Sequence, residues 1–481
     1  MESSSIIKER YILIFVLTVN IIMAWNSVGF HHPDEHYVTL DYALKKMQMI
    51  STPPSWEEVG RFRSWPLPLV FSFFIAIIKE IGVDNPFQIV TFLRFISSMV
   101  GLWSTLKFCQ LFRSHFKQVG EWPLFLYFMN LPFFIVFMHA RTSSDNWATS
   151  FLLLGIYQIQ KNKEQHLLNN VIGSVILTIA CLFRFQVAII VASYLLWYLF
   201  KTRTKWWNIF LQFLLPIGII SIIGFIIDSW CYGQWTFVPW NYYYYTLHGN
   251  KISEFGVQPF YWYFYSILIK LSPFWGIPLI VGVFYFLKSR ITHWLSICTI
   301  PFFIFHSSIS HKELRFIFPL SGFVTAMCFL EAKKYGLFTV KNWYVKTLIF
   351  VNSGLLLLFL FSPAYSPVDF YQFVYEQFKE TTTFYVLKDK QGQHVKFELS
   401  YYTNPVIRLS PVNSLSDIKI SDIKGERFYF FASNYAQYLM AKENKCAPIF
   451  SAPSSNMLKI IPNFINKNSN VWALFQCSLT R

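Results

Sequence analysis

Six consecutive residues, His31-His32-Pro33-Asp34-Glu35-His36, place two carboxylates and three imidazoles after an apolar run, Tyr11 to Phe30, long enough to span a bilayer. Such groups at a membrane boundary cost free energy unless they bind or react with something. A carboxylate held there can act as general base on a sugar hydroxyl. With Pro33 at a helix start, Asp34 and Glu35 fall in the first turn, where the dipole favours anions. Tyr37, Leu40, Leu44 and Met47 follow at helical spacing, with Lys45 and Lys46 nearby, so an amphipathic helix on the membrane surface is expected. A capped interfacial helix without chemistry explains the same residues. His31, His32, Asp34 and His36 are weak candidates for a metal site, because adjacent positions rarely converge on one ion and ordinary ligand spacings are missing. No metal and no cofactor are expected.

A second polar cluster, His311-Lys312-Glu313-Leu314-Arg315-Phe316, interrupts another apolar stretch. His311 and Arg315 are four apart, which predicts a shared helix face with Lys312 beside them. These three groups suit a phosphate anion, and Glu313 can orient one of them by salt bridge. The first loop adds Trp56-Glu57-Glu58 and Arg61-Phe62-Arg63-Ser64-Trp65. Arg184 sits between two apolar runs, where a charge is functional by default unless it snorkels to the interface. The loop from Asp228 through Trp235 to Pro239-Trp240-Asn241 and four tyrosines suits sugar stacking and hydrogen bonding, and equally suits an interfacial aromatic belt.

The elements that must position these groups are membrane helices. The 481 residues are 54% hydrophobic and only 14% charged, against about a quarter charged in soluble proteins, so the chain is an α-helical polytopic membrane protein. Apolar runs fall near 11–28, 66–80, 88–112, 122–138, 147–160, 170–183, 185–200, 208–228, 263–287, 293–309, 313–330 and 344–362, which predicts about 11–12 membrane segments. If the short run 66–80 lies at the interface or re-enters, the lysines and arginines near 113, 161, 201, 288 and 333 all share the side of Lys8 and Arg10. That side is cytoplasmic by the positive-inside rule. Both polar clusters and everything after about 363 then lie on the opposite side. The net charge of +16 follows from the same topology, and no nucleic-acid partner is expected.

The expected organisation is a multi-span region 1–362 with a lumenal loop 29–87, followed by a small extramembrane α/β domain at 363–481. There the apolar runs shorten to strand length at Phe384–Leu387 and Arg427–Phe431, a polar turn follows at 388–392, and Asn434–Ala441 reads as a helix. The first run reads as a signal anchor, since it lacks a small-residue cleavage site. Seven cysteines show no metal-ligand spacing. Cys446 and Cys477 can pair if their region faces an oxidising lumen.

Taken in order, several motifs resemble those of the family 22 glycosyltransferases, the GPI-anchor and dolichol-linked-oligosaccharide mannosyltransferases with their bacterial relatives. They are His32-Pro33-Asp34-Glu35, Trp56-Glu57 with Arg63-Ser64, Ala140-Arg141-Thr142, Tyr232-Gly233-Gln234-Trp235 with Pro239 and Asn241, Phe255-Gly256 through Pro259 with Trp262-Tyr263, and His311-Lys312-Glu313 with Arg315-Phe316 and Pro319. The resemblance implies a GT-C fold whose site faces the endoplasmic reticulum lumen, or the periplasm from a bacterial inner membrane. It implies a polyprenyl (dolichyl) phosphate mannose donor, a lipid-linked glycan acceptor and surrounding membrane lipids as partners. Asp34 would be the catalytic base with Glu35 adjacent, His311, Lys312 and Arg315 would hold the donor phosphate, and His32, Arg63, Arg141, Trp235 and Asn241 would bind substrate. Gln258-Pro259-Phe260 stands where the family usually has His-Pro-Trp. Ser143-Ser144-Asp145-Asn146 stands where it usually has Phe-Ser-Asn-Ser. Both departures bear on the acceptor more than on the reaction.

The expected chemistry is an inverting transfer, with a sugar hydroxyl in place of the water of an inverting glycosidase. The rival class is a transporter or lipid flippase, which would gather charges in a central cavity between two related halves. No internal repeat is visible, and the charges gather toward one membrane face. The two classes part on whether Asp34 lies near Lys312 and Arg315.

Overall fold

The computed structural model describes residues 2–161, 167–203, 205–248, 251–388, 393–394, 396–418, 427–452 and 470–478. The chain forms two compact units. The first comprises Met1–Ser27, His32–Val83 and Ile89–Ser362, and the second Val28–His31, Asp84–Gln88 and Pro363–Arg481.

The first unit is helical. Six helices among the described residues are long and apolar enough to cross a membrane, and the number is up to eight if each of two bent pairs is one span. Other expected spans are shorter helices, Ser144–Gln160 and Leu167–Phe183, of 17 residues each. Proline divides two of the expected runs. At Leu131-Pro132 the chain bends by 57° between Glu121–Asn130 and Phe133–His139, because proline lacks the N–H that would continue the ladder. The run 263–287 is likewise two helices, Trp262–Lys270 and Pro273–Ser289, joined through Ser272 at φ 67°.

The 66–80 run is the helix Pro66–Glu80 of 15 residues, about 22 Å long against a hydrocarbon core of about 30 Å. The helix after Pro33 begins with a π-helical segment, Glu35–Leu40, and continues as Asp41–Lys46. It does not lie free on a surface with one face covered. Glu35, His36 and Thr39 through Leu44 are all buried. The Ser72 hydroxyl of the Pro66–Glu80 helix donates to the Ala43 carbonyl at 3.3 Å, and the Tyr42 ring packs on Trp65.

The second unit holds a five-stranded sheet in the order β2-β1-β3-β5-β4, with β1 Thr382–Leu387, β2 Ile407–Val412, β3 Arg427–Asn434, β4 Ala447–Ala452 and β5 Asn470–Ser478. β1 runs parallel to β2 and β3, whereas β5 is antiparallel to β3 and β4. Alternate side chains point to opposite faces. Phe384, Val386, Phe431 and Leu474 pack with the helix Pro367–Gln377. Tyr385, Phe428, Phe430 and Phe475 pack with Tyr435–Glu443. Both expected strands and the expected helix are present, the helix capped by Asn434, which accepts from the Gln437 amide at 3.0 Å. Residues 389–392 of the expected turn lie outside the described residues. Cys446 and Cys477 form a disulfide.

Candidate active site

Two stretches nearly three hundred residues apart in sequence meet at one point. Arg315 Nη2 donates to Asp34 Oδ2 at 3.0 Å. Asp34 stands at a helix start fixed by Pro33. Arg315 stands in the first turn of the 3-10 helix Leu314–Leu320. His311 precedes that helix in non-helical backbone, so it does not share a helix face with Arg315. The two converge on Glu313 instead: Arg315 Nε donates to one carboxylate oxygen at 2.6 Å, and His311 Nε2 lies 3.0 Å from the other.

His32 bridges the two stretches a second time. Its Nδ1 is 3.3 Å from Asp34 Oδ1, and its Nε2 is 3.3 Å from Glu313 Oε2. Burial pushes the imidazole toward neutrality, but the hydrogen bonds to Asp34 and Glu313 outweigh it and hold its pKa up at about 9. Arg63 reaches the same carboxylate from the first loop, at 3.4 Å to Asp34 Oδ2, and is anchored by Glu57 at 2.6 Å. Burial would raise the Asp34 carboxyl. Arg315, Arg63 and His32 outweigh it and hold Asp34 well below the usual carboxylate range. Glu313 is depressed in the same way, its burial outweighed by His32 and Arg315.

The Arg63 segment is clamped from the Leu215–Tyr232 helix. Asp228 accepts from the Trp65 amide at 2.7 Å and from the Ser64 hydroxyl at 3.1 Å, and the Tyr232 hydroxyl donates to the Arg63 carbonyl at 2.7 Å. Asn241 completes the clamp by donating to the Arg61 carbonyl at 3.0 Å. It therefore supports the first loop rather than joining the charged cluster.

Other residues lie elsewhere. Lys312 is buried, and its ammonium donates to the Gln258 and Ile309 carbonyls at 2.8 and 2.5 Å. It pins the Gly256–Pro259 segment instead of entering the cluster. Arg141 is fully buried and donates to the Ser27 carbonyl at 2.9 Å. Trp235 is 81% exposed and stacks on Phe225. Glu35 is buried beside Asp34, but the ion pairs of the cluster run through Asp34. His36 lies apart, its Nε2 3.4 Å from Asp41.

Asp145 and Arg184 complete the network. Asp145 lies 3.0 Å from Arg184 and 3.4 Å from Arg315. Its signal in the sequence is a carboxylate at the first turn of an otherwise apolar helix, but only contact with Arg315 distinguishes it from an ordinary helix-start acid. Among the described residues, four carboxylates (Asp34, Glu57, Asp145, Glu313) are matched by three guanidiniums and the His32 imidazole. An anion entering this site would compete with these carboxylates for the shared cations. Arg315, already shared between carboxylates, can exchange one partner for another.

Comparisons agree on a family. The Alg9-like mannosyltransferase profile matches residues 11–411. The chain is 28% identical over 320 residues to Mannosyltransferase APTG1 of Arabidopsis thaliana, covering 65% of this chain and 57% of that protein. It is 24% identical over 366 residues to GPI alpha-1,2-mannosyltransferase 3 of Homo sapiens, covering 74% and 62%. The matched stretch thus spans less than two thirds of either relative. Among solved structures, apo ArnT from Cupriavidus metallidurans shares the fold at a TM-score of 0.57 and 10% identity, over 99% of this chain and 98% of that one. The same protein bound to undecaprenyl phosphate matches at 0.53, over 97% of each chain.

Proposed function

The chain belongs to the Alg9-like mannosyltransferase family, and on that premise we propose that it transfers mannose from a polyprenyl (dolichyl) phosphate mannose to a lipid-linked glycan, with inversion and with Asp34 as general base. The observation that carries the reading is the 3.0 Å contact between Asp34 and Arg315. It brings a carboxylate and a phosphate-binding cation within one substrate's reach. Inversion needs the base on the face of the sugar opposite the leaving group.

The substrate-free ion pair explains how a strongly acidic carboxyl can work as a base. The donor phosphate draws Arg315 Nη2 from Asp34. The carboxylate loses its nearest compensating charge, its pKa rises, and it becomes able to take the proton of the attacking hydroxyl. The departing phosphate needs no strong acid, because Arg315 and His32 stabilise its charge where it develops. The fold neighbour's bound undecaprenyl phosphate supports a polyprenyl phosphate ligand. The named GPI mannosyltransferase relatives support a GPI precursor as acceptor, and an oligosaccharide-lipid is the second candidate. Charge bias supports a site on the lumenal side of the endoplasmic reticulum membrane, or the periplasmic side in a bacterium.

The test is in vitro transfer from labelled dolichyl phosphate mannose to a panel of GPI precursors and oligosaccharide-lipids. One acceptor should yield a labelled product of inverted configuration. No transfer to any member of the panel, or retention at the anomeric carbon, overturns the reading.

A further inference from the structure

Three carboxylates each grip a different nitrogen of one guanidinium. Glu313 takes Arg315 Nε at 2.6 Å, Asp145 faces Nη1 at 3.4 Å, and Asp34 takes Nη2 at 3.0 Å. Asp34 and Glu313 are a quarter exposed, whereas Asp145 has no exposed surface. Asp145 therefore cannot touch a substrate and acts only through what it holds.

Asp145 holds two cations. Arg184 Nη1 lies 3.0 Å from its Oδ1, and Arg184 and Arg315 both rest on the Phe316 ring, 5.3 and 5.2 Å from its centroid. Two guanidiniums crowded onto one ring repel each other unless an anion lies between them, and Asp145 is that anion. The fold places it by local rules: Ser143 caps the Ser144–Gln160 helix by accepting from the Asn146 amide at 3.3 Å, which puts Asp145 in the first turn, where the dipole favours its charge. Arg184 arrives at the break between Leu167–Phe183 and the 3-10 turn Phe185–Val187.

We propose that Asp145, backed by Arg184, is a positioning residue that fixes the Arg315 guanidinium so that Nη2 alone exchanges between Asp34 and the donor phosphate. The inference rests on the roles given above to Asp34 and Arg315. Without the Asp145 charge, Arg184 repels Arg315 and Arg315 turns more fully toward Asp34. That misplaces the phosphate cation and ties up the base.

The experiment measures kcat/KM for dolichyl phosphate mannose across pH in purified Asp145→Asn and Asp145→Leu. The Asn variant keeps an oxygen acceptor for Arg315 but not the charge, and loses about tenfold. The Leu variant loses about a hundredfold, as expected for a displaced positioning contact. Asp34 is faced by Arg315 from the late 3-10 helix, by Arg63 from the first loop and by its neighbour His32. Losing Asp145 strengthens the first of these, so the acid limb of kcat/KM moves to lower pH by about half a unit. General damage to the fold would lower the rate without moving that limb, and that result overturns the proposal. If Asp145→Leu does not fold, Asp145→Leu/Arg184→Leu removes both buried charges, and a loss of about tenfold without a shift of the limb is expected, because Nη1 is unheld but nothing repels Arg315 toward Asp34; wild-type activity in the double variant overturns the proposal. Should Asp34→Asn stay active, the underlying mechanism is wrong. Should Asp34→Asn be inactive while both Asp145 variants match the wild type in rate and limb, only the positioning role is lost.

Discussion

Two polar regions of the helical unit handle the same problem, polar groups inside an apolar bundle, in opposite ways. Around Asn352 every bond is made and none is shared. Its Oδ1 accepts from the Phe133 amide at 3.0 Å and from Trp275 Nε1 at 3.2 Å, and its Nδ2 donates to the Leu131 carbonyl at 2.8 Å and the Tyr127 hydroxyl at 3.2 Å. That is the full capacity of an amide side chain. It satisfies the backbone groups freed by the Leu131-Pro132 break, and Asn352 is wholly buried. Around Asp34 the bonds are oversubscribed. Oδ2 serves Arg63 and Arg315 together, Glu313 serves three groups, and both carboxylates keep a quarter of their surface exposed. A neutral, saturated, closed hub holds a fold together. A charged, shared, partly open cluster can trade partners with a substrate.

The largest expected effect tests the open side. Asp34→Asn keeps the shape and removes the proposed base, so transfer should fall by about a thousandfold or more. The midpoint of thermal unfolding should fall as well, by the stability that the Asp34 charge contributes with Arg63, Arg315 and His32, while Arg315 keeps Glu313 and Asp145. An active Asp34→Asn enzyme breaks the comparison at its centre.

The closed side should respond the other way. Asn352→Ala leaves the Phe133 amide, the Leu131 carbonyl and the Trp275 indole without their partner, a loss of about 2 kcal/mol or more. The midpoint of thermal unfolding should drop, while kcat/KM per folded molecule stays within about twofold of wild type. A selective loss of kcat with unchanged stability would mean that the hub is not purely structural.

Stability against pH separates the two regions again. The folded pKa of His32 is raised to about 9 from an ordinary 6.5. Its contribution to stability is therefore complete below about 6.5 and is lost as pH rises through about 9. Asp34 and Glu313 are depressed, so their contributions are present above the ordinary carboxylate range and fade only as pH falls well below it. Unfolding midpoints should fall between pH 6.5 and 9.5, and His32→Gln should flatten that slope. Asn352 does not titrate, so Asn352→Ala should lower the curve without changing its slope in this window.

These contrasts mark what the sequence carries. The His32-Asp34 and His311-Arg315 stretches are legible because charges are conspicuous in an apolar chain, and charge bias puts both on one side of the membrane. The helical class and the C-terminal α/β region are legible from run length, whereas the Cys446–Cys477 pairing is open in the sequence and is given by the structure. Three further features are not legible. The π-helical segment at Glu35–Leu40 has no signal in residue type. The role of Asp145 depends on Arg184 and Arg315 arriving from two other segments. Arg141 reads as a substrate contact from its motif, but its guanidinium bonds to the end of the first helix. Residue type indicates that a charge has a task, and only tertiary contact shows which.

Lys312 is the sharpest test of that distinction, because its charge assigns it to one region and its bonds to the other. As a phosphate ligand it would keep its ammonium available. Instead the ammonium is buried against the Gln258 and Ile309 carbonyls, while its amide donates to Gln258 Oε1 at 2.6 Å and the Gln258 amide donates to the Ser310 carbonyl at 2.9 Å. These four bonds lock two loop segments together, as Asn352 locks its helix break. Lys312→Gln retains a donor for the carbonyls and discards the charge. On the structural reading it changes the donor KM by less than about threefold and lowers the unfolding midpoint slightly. A tenfold rise in donor KM at unchanged stability would move Lys312 into the open cluster, and charge would then be the better guide than bonding. The smallest predicted effect thus decides most directly which rule sorts the polar residues of this bundle.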